Sequence, residues 1–174
     1  MLRTYWPGML FALVSLSVFG IWVGYTEYGW FAESQHTGHE VHYHAGFQIY
    51  QDGELIDFSD PAYMYLGSCG DMGSGDSIQD QVHLHNEIGD VVHVHAPQIT
   101  WADMFESLGL ADQVSEVTAM SLDGEVKPVE MDAIIAPYQS AVFVIGSGEI
   151  TRLDDDRVTE EHIRKVEDET LSCS

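Results

Sequence analysis

The sequence predicts an α+β fold, mainly an antiparallel β-sheet with one or two short helices, preceded by one N-terminal transmembrane helix. Three observations support this fold class. Residues 5–25 carry no charge, segments of alternating apolar and polar residues recur between residues 41 and 146, and two Asp-Gly pairs separate such segments. Alternation is typical of half-buried strands, and Asp-Gly is a strong signal for a tight hairpin turn.

The uncharged segment from Tyr5 to Tyr25 is long enough to cross a membrane. At about 1.5 Å per residue, a helix of this length spans the hydrocarbon core of roughly 30 Å. Arg3 precedes the segment and Glu27 follows it, so the positive-inside rule places the N-terminus in the cytoplasm and the main domain outside. A cleaved signal peptide is the alternative. We expect a single-pass anchor in the cell membrane that contacts the lipid bilayer through residues 5–25.

Composition divides the chain into four parts. The anchor at residues 1–30 and a tether at residues 31–40 precede a histidine-rich domain at residues 41–150, and an acidic, partly helical tail occupies residues 151–174. The net charge of −23 lies entirely after residue 30, where five basic residues face 28 acidic ones. Nucleic acid is therefore excluded as an expected partner, because phosphate binding needs a basic surface.

The first strand is predicted at residues 41–50, where apolar and polar residues alternate without a break. Asp52-Gly53 then predicts a type I′ turn into a short return strand. Asp60 followed by proline predicts an N-cap and a short helical turn. Residues 67–77 predict a loop, because glycine and serine dominate them.

A β-hairpin is predicted at the centre of the chain, between two His-x-His pairs. If residues 88–90 form its loop, His85 lies opposite His93 and His83 lies opposite His95. A register shift of one residue would place the two pairs on opposite faces of the sheet. The sequence leaves this choice open.

The second half of the domain continues the same pattern. Thr100 predicts the N-cap of a short helix at residues 101–108, and an Asp-Gly turn predicts a hairpin within residues 114–129. The apolar, β-branched residues 140–146 predict a central strand. A charged helix, exposed to solvent, is predicted at residues 159–171.

Three His-x-His pairs lie on the predicted strands. They are His42 with His44, His83 with His85, and His93 with His95. Side chains two residues apart on a strand point to the same face, so each pair projects two imidazoles together. Neutral imidazole binds divalent transition metals, and the six side chains are therefore candidate ligands of a copper or zinc ion. The alternatives are solvent-exposed histidines without a ligand, and a pH switch.

Sulfur-containing side chains bear on the choice of metal. Met64, Cys69 and Met72 lie in or near the predicted glycine-rich loop, and soft sulfur ligands would favour copper. Packing is the alternative role for Met64. Cys69 and Cys173 form no Cys-x-x-Cys motif, and the sequence leaves open whether they form a disulfide.

Three segments of the chain resemble a group of small, membrane-anchored, extracytoplasmic prokaryotic proteins with His-x-His strands. The segments are HYHAGFQIYQDGELIDFSDPAYM, HLHNEIGDVVHVHAPQITWADMFESLG and SLDGEVKPVE, with a hydrophobic strand after the last. The resemblance covers roughly residues 39–146. It implies the architecture and the importance of the six histidines, and it supplies no reaction.

The sequence therefore predicts a membrane-anchored, extracytoplasmic protein that binds copper or zinc for acquisition, buffering or delivery to a membrane-protein partner. Asp80, Glu87 and Asp90 are candidates to orient the imidazole N–H groups. One alternative is a metal-dependent enzyme in which Glu87 or Asp90 acts as the base. Another is a non-catalytic accessory subunit of a membrane complex.

Overall fold

The computed structural model describes residues 41–65, 77–150 and 154–170. The predicted anchor at residues 1–30, the tether at residues 31–40 and both cysteines lie outside these ranges. Within them, no helix combines the length and the apolar character that crossing a membrane requires.

In the described residues, seven strands form one mixed, mostly antiparallel sheet. They are β1 (Tyr43–Gln51), β2 (Glu54–Leu55), β3 (Val82–His83), β4 (Val91–Val94), β5 (Val117–Leu122), β6 (Glu125–Lys127) and β7 (Ser140–Ile145). Their order is β3-β4-β1-β7-β5-β6, with β2 paired to the end of β1. The predicted α+β class with a mainly antiparallel sheet is confirmed. The parallel pairing of β1 with β7 was not predicted.

Three α-helices lie in the described ranges, namely α1 (Ile78–Gln81), α2 (Trp101–Ser107) and α3 (Glu160–Thr170). Thr100 caps α2 as predicted, since its hydroxyl accepts from the Asp103 amide while the Asp103 carboxylate accepts from the Thr100 amide. Helix α1 was not predicted. Ser77 and Asp80 form the same reciprocal cap there, which sets the chain direction into β3.

Both Asp-Gly turns form at the predicted positions. Asp52 and Gly53 have φ angles of 52° and 84°, and Asp123 and Gly124 have φ angles of 52° and 85°. Asp60 accepts a hydrogen bond from the Ala62 amide and begins a short 3₁₀ turn, as predicted. The first Asp-Gly turn therefore ends β1 and begins β2, and the second ends β5 and begins β6.

The main hydrophobic core lies between the sheet and α2. Trp101 and Phe105 of α2 pack against Phe143 of β7, with ring centroids 5.3 and 5.2 Å apart. Every residue of β7 is buried, which confirms that this strand is central. Phe47 and Ile49 of β1 face the same core.

Helix α3 covers the opposite face of the sheet. Val158, Ile163 and Val166 are buried there against Val91 of β4. Gly46 of β1 allows this approach, because an added Cβ would lie 2.6 Å from the Val158 side chain and 3.1 Å from that of Ile163. The prediction of a solvated tail helix was wrong, since its apolar side chains are packed on the sheet.

The central hairpin keeps its two histidine pairs on one face, but its register differs from the prediction. His83 pairs with His93 and Val82 with Val94, a shift of two residues from the expected pairing. An even shift preserves the face on which each side chain lies. The turn is therefore earlier than predicted, with positive φ angles at Asn86 and Glu87.

Gly89 lies in the segment 88–90 that was predicted as the hairpin loop. It does not adopt a positive φ angle. Instead, a Cβ at this position would lie 2.5 Å from the backbone nitrogen of Ser59 and 2.6 Å from the carbonyl carbon of Phe58. Close contact between two backbone segments, which no sequence pattern reveals, requires glycine here.

Candidate metal centre

Three adjacent strands bring the histidine pairs together on the face that α3 covers. β4 lies between β3 and β1, and His93 is the partner of both His83 on β3 and His44 on β1. The remaining histidines, His42, His85 and His95, lie just beyond the ends of these strands, two residues from this row. All three predicted pairs therefore belong to one cluster.

Three of the histidines are arranged to hold one ion. The side chains of His42, His93 and His95 each offer a ring nitrogen, and these nitrogens all lie within 4.8 Å of one another. The rings of His42 and His95 are stacked with centroids 4.8 Å apart. Zinc–nitrogen bonds are about 2.0–2.1 Å long, so small side-chain rotations toward a common centre would let all three nitrogens bind the same ion.

The other three histidines surround this group. His44 and His85 both direct Nε2 at Nδ1 of His93, at 2.7 and 2.9 Å. His83 stacks on His95, with ring centroids 5.0 Å apart. All six predicted ligands are thus within one network of ring contacts, and His93 lies at its centre.

The polar faces of these strands are not exposed to solvent, contrary to the alternative raised from the sequence. His44, His83, His93 and His95 have exposed fractions of only 0, 3, 1 and 8%. His42 is exposed and His85 is half-buried. The exposed position of His42 gives the cluster a side through which an ion can reach it from solvent.

The tautomer of His83 is set by the backbone. Its Nδ1 lies 2.8 Å from the carbonyl oxygen of Gln79 in α1. Since a carbonyl oxygen only accepts, the proton is on Nδ1 and the lone pair is on Nε2. That Nε2 is buried without a hydrogen-bond partner, which is the state of a metal-ligating imidazole.

Burial keeps five of the six clustered histidines neutral by lowering their pKa values. It lowers the pKa of His44 and of His83 to about 4, and that of His95 to about 3. Burial also lowers the pKa of His93 and of His85. At neutral pH these rings therefore carry free lone pairs, because protons do not compete for them.

We expect the metal-free protein to lose stability between pH 7.5 and 5.5. A histidine whose pKa is lower in the folded than in the unfolded state binds its proton mainly on unfolding, so acidification favours the unfolded chain. Each histidine that stays neutral at pH 5.5 contributes about 1.4 kcal/mol to this loss. Urea denaturation of the chelator-treated protein at both pH values measures it, and an unchanged free energy of unfolding would contradict buried, neutral rings.

Sequence reasoning missed several neighbours of the cluster. Glu167 of α3 lies 3.6 Å from Nδ1 of His44, and the Tyr138 hydroxyl donates to the same carboxylate at 2.8 Å. Tyr65 stacks on His83 with centroids 4.7 Å apart. These side chains come from distant parts of the chain, and no spacing in the sequence links them to the histidines.

The predicted carboxylates lie elsewhere. Asp80 accepts from the Tyr65 hydroxyl at 2.6 Å, so it supports the ring that stacks on His83. The Asp90 carboxylate lies 3.1 Å from Nε2 of His162 in α3, and Glu87 is exposed in the hairpin turn. Among the described residues, neither Glu87 nor Asp90 forms a hydrogen bond or an ion pair with a ring of the cluster.

Met64 packs against the hydrophobic core and not against the histidine cluster. This agrees with packing, the alternative role that the sequence analysis gave for Met64. Cys69 and Met72 lie outside the described residues. The donor set that the structure describes therefore consists of imidazole nitrogens.

Comparison with known proteins assigns this chain to no family. The chain matches no protein-family model, no curated protein and no solved structure. The chemistry of the site therefore rests on its geometry, which is a group of imidazoles, two of them buried and one exposed, close enough together to be compatible with binding of a metal ion.

Proposed function

We propose that this protein is a membrane-anchored, extracytoplasmic binding protein for copper or zinc, which acquires, buffers or delivers the ion. The observation that carries the proposal is the convergence of ring nitrogens from His42, His93 and His95 within 4.8 Å. The uncharged residues 5–25 support the anchor, and the charges flanking them support the orientation.

The cluster is suited to binding because it is organised before the ion arrives. Buried imidazole nitrogens without partners, such as Nε2 of His93 and of His95, cost free energy in the empty protein. An ion that accepts their lone pairs removes that cost. The net charge of −23 adds a long-range attraction for cations, which raises their concentration near the surface.

An all-imidazole donor set favours borderline metals. Imidazole suits both zinc and copper, and the order of divalent affinities places copper above zinc. The packed position of Met64 removes one argument for a copper-selective sulfur ligand. We therefore retain both ions and expect Cu²⁺ to bind more tightly.

Metal analysis of His42→Ala tests the proposal. The full chain, purified in mild detergent without a His-tag, is titrated with Zn²⁺ and Cu²⁺ and its bound metal is measured by mass spectrometry. We expect metal binding in the wild type, and we expect the ion held by His42, His93 and His95 to bind about 100-fold or more weakly in His42→Ala, since losing a ligand costs at least as much as losing its supporting partner. His42 is exposed, so its replacement leaves the packing intact.

His162→Ala is the matched control. His162 is a histidine outside the cluster, and its side chain is 43% exposed. The His162→Ala protein should bind metal as the wild type does. A wild type that binds neither ion, or equal losses in His42→Ala and His162→Ala, would refute the assignment.

A metal-dependent enzyme is the second candidate function, and the exposure of His42 is the observation that favours it. A ligand at the surface of a site leaves room for water or substrate beside the ion. X-ray absorption spectroscopy of the zinc-loaded protein distinguishes the two functions. An oxygen ligand from water would support the enzyme, and coordination by imidazole alone would support storage or delivery.

A further inference from the structure

The histidine cluster contains a second set of converging nitrogens beside the one described above. Nδ1 of His93 faces Nε2 of His44 at 2.7 Å and Nε2 of His85 at 2.9 Å. His93 is 1% exposed. Three ring nitrogens thus meet in the interior, on the side of His93 that carries Nδ1.

Hydrogen bonding cannot satisfy this arrangement. A neutral imidazole nitrogen has either one lone pair or one proton, so Nδ1 of His93 can form one good hydrogen bond with His44 or with His85, but not with both. Nε2 of the other ring, His85 or His44, is then close to two nitrogens without a hydrogen-bond partner. A metal ion satisfies all three, because each lone pair can point at the same centre.

The other nitrogen of His93 remains available for the first ion. Nε2 of His93 is buried without a hydrogen-bond partner, and His93 also belongs to the group with His42 and His95. The two nitrogens of one imidazole point away from each other. A single ring can therefore serve two ions, one on each side.

The surroundings favour the extra positive charge. The carboxylate of Glu167 lies 3.6 Å from Nδ1 of His44, on the opposite side of that ring from His93. A carboxylate on the far nitrogen of a ligating histidine is a common supporting contact, which orients the ring and raises its basicity. His44 therefore has the environment of a ligand that coordinates through Nε2.

We propose that the cluster is a two-ion centre in which the His93 ring bridges two transition-metal ions, one held with His42 and His95 and the other with His44 and His85. This rests on the proposed function, since it assigns a second ion to the same cluster. The ring N–H proton of His93 leaves to solvent when both of its nitrogens coordinate. The rings of His44 and His85 must also move slightly away from Nδ1 of His93, which lies 2.7 and 2.9 Å from their Nε2 atoms, because nitrogens bound to one zinc ion are separated by roughly 3.3 Å.

The test is a metal titration of a chain whose other histidines have been removed. His36→Ala, His39→Ala and His162→Ala are combined in the full chain, so that only the six clustered histidines remain. This background chain is titrated with Cu²⁺ and followed by native mass spectrometry and by electron paramagnetic resonance. His85→Ala and His42→Ala, which replace the two least buried histidines, are each added to it.

We expect two ions per background chain, and one tight ion in each of the two variants. The resonance signal should rise with the first equivalent of Cu²⁺ and fall with the second, because an imidazole bridge couples the two unpaired spins. Urea denaturation of each metal-free variant confirms that it is folded.

Each other outcome overturns a defined part of the proposal. One ion, lost in His42→Ala and retained in His85→Ala, would remove the second position and leave the proposed function intact. Two ions whose signal rises through both equivalents would show separate sites without the bridge. A background chain that binds no ion, like a wild type that binds none, would overturn both proposals.

Discussion

Replacing His93 by leucine is expected to abolish metal binding while leaving the stability of the metal-free protein nearly unchanged. The substitution removes both ring nitrogens at the centre of the cluster and keeps a side chain of similar size. A buried polar group without a partner costs about 1–3 kcal/mol, and His93 has such a group in Nε2. The change also removes the hydrogen bond that Nδ1 of His93 forms with His44 or with His85, which costs a similar amount. We therefore expect the free energies of unfolding of metal-free His93→Leu and metal-free wild type to differ by about 1 kcal/mol or less.

Metal makes the stabilities of the two proteins differ. At a free ion concentration 1,000 times the Kd, binding stabilises the wild type by about 4 kcal/mol, whereas His93→Leu should not respond. Urea denaturation with chelator and with Zn²⁺ measures both effects in one experiment. His162→Leu, which changes a surface histidine in the same way, should respond to zinc as the wild type does. An equal zinc response in His93→Leu would exclude His93 as a ligand.

Substitution of Gly46 is expected to separate α3 from the sheet. In Gly46→Ala the new Cβ would lie 2.6 Å from Cβ and Cγ1 of Val158, so the chain leading into α3 must shift. Overpacking of this kind typically costs about 1–3 kcal/mol. Because α3 also carries Glu167 to His44, the shift should expose the edge of the histidine cluster and reduce its affinity for metal.

A double-mutant cycle tests the cause. Val158→Gly alone loses buried apolar contacts, but it also removes the atoms that the new Cβ would meet. The losses in free energy of unfolding caused by Gly46→Ala and by Val158→Gly should therefore not add. We expect the double variant Gly46→Ala/Val158→Gly to lose less than the sum of the two single losses, by about 1 kcal/mol or more. Additive losses would mean that the contact between Gly46 and Val158 does not limit the approach of α3.

Much of the fold could be predicted from the sequence because its signals are local. The Asp-Gly turns, the Thr100 cap and the alternation in β1 each depend on residues within one turn or strand. The six candidate ligands were found for the same reason, since a His-x-His pair on a strand places two rings on one face whatever the neighbouring strands are. The structure brings all six into one cluster.

What the sequence could not supply depends on contacts between distant residues. The hairpin register follows from an early turn and from the contact of Gly89 with Phe58 and Ser59, neither of which a composition pattern encodes. The burial of the histidine face follows from packing of the C-terminal helix, whose many charges indicated a solvated surface. For the same reason, the contact between Glu167 and His44 was not foreseeable.

The position of β1 between β4 and β7 has a consequence for the order in which the centre assembles. His85 and His93 are eight residues apart, whereas His44 and His93 are 49 apart. Short loops close fastest, so the hairpin and its imidazoles form before β1 pairs with β4. An ion captured at that moment is enclosed as β1 and then α3 arrive. We expect the metal found in the protein to reflect the ions present while the chain folds, more than those added afterwards.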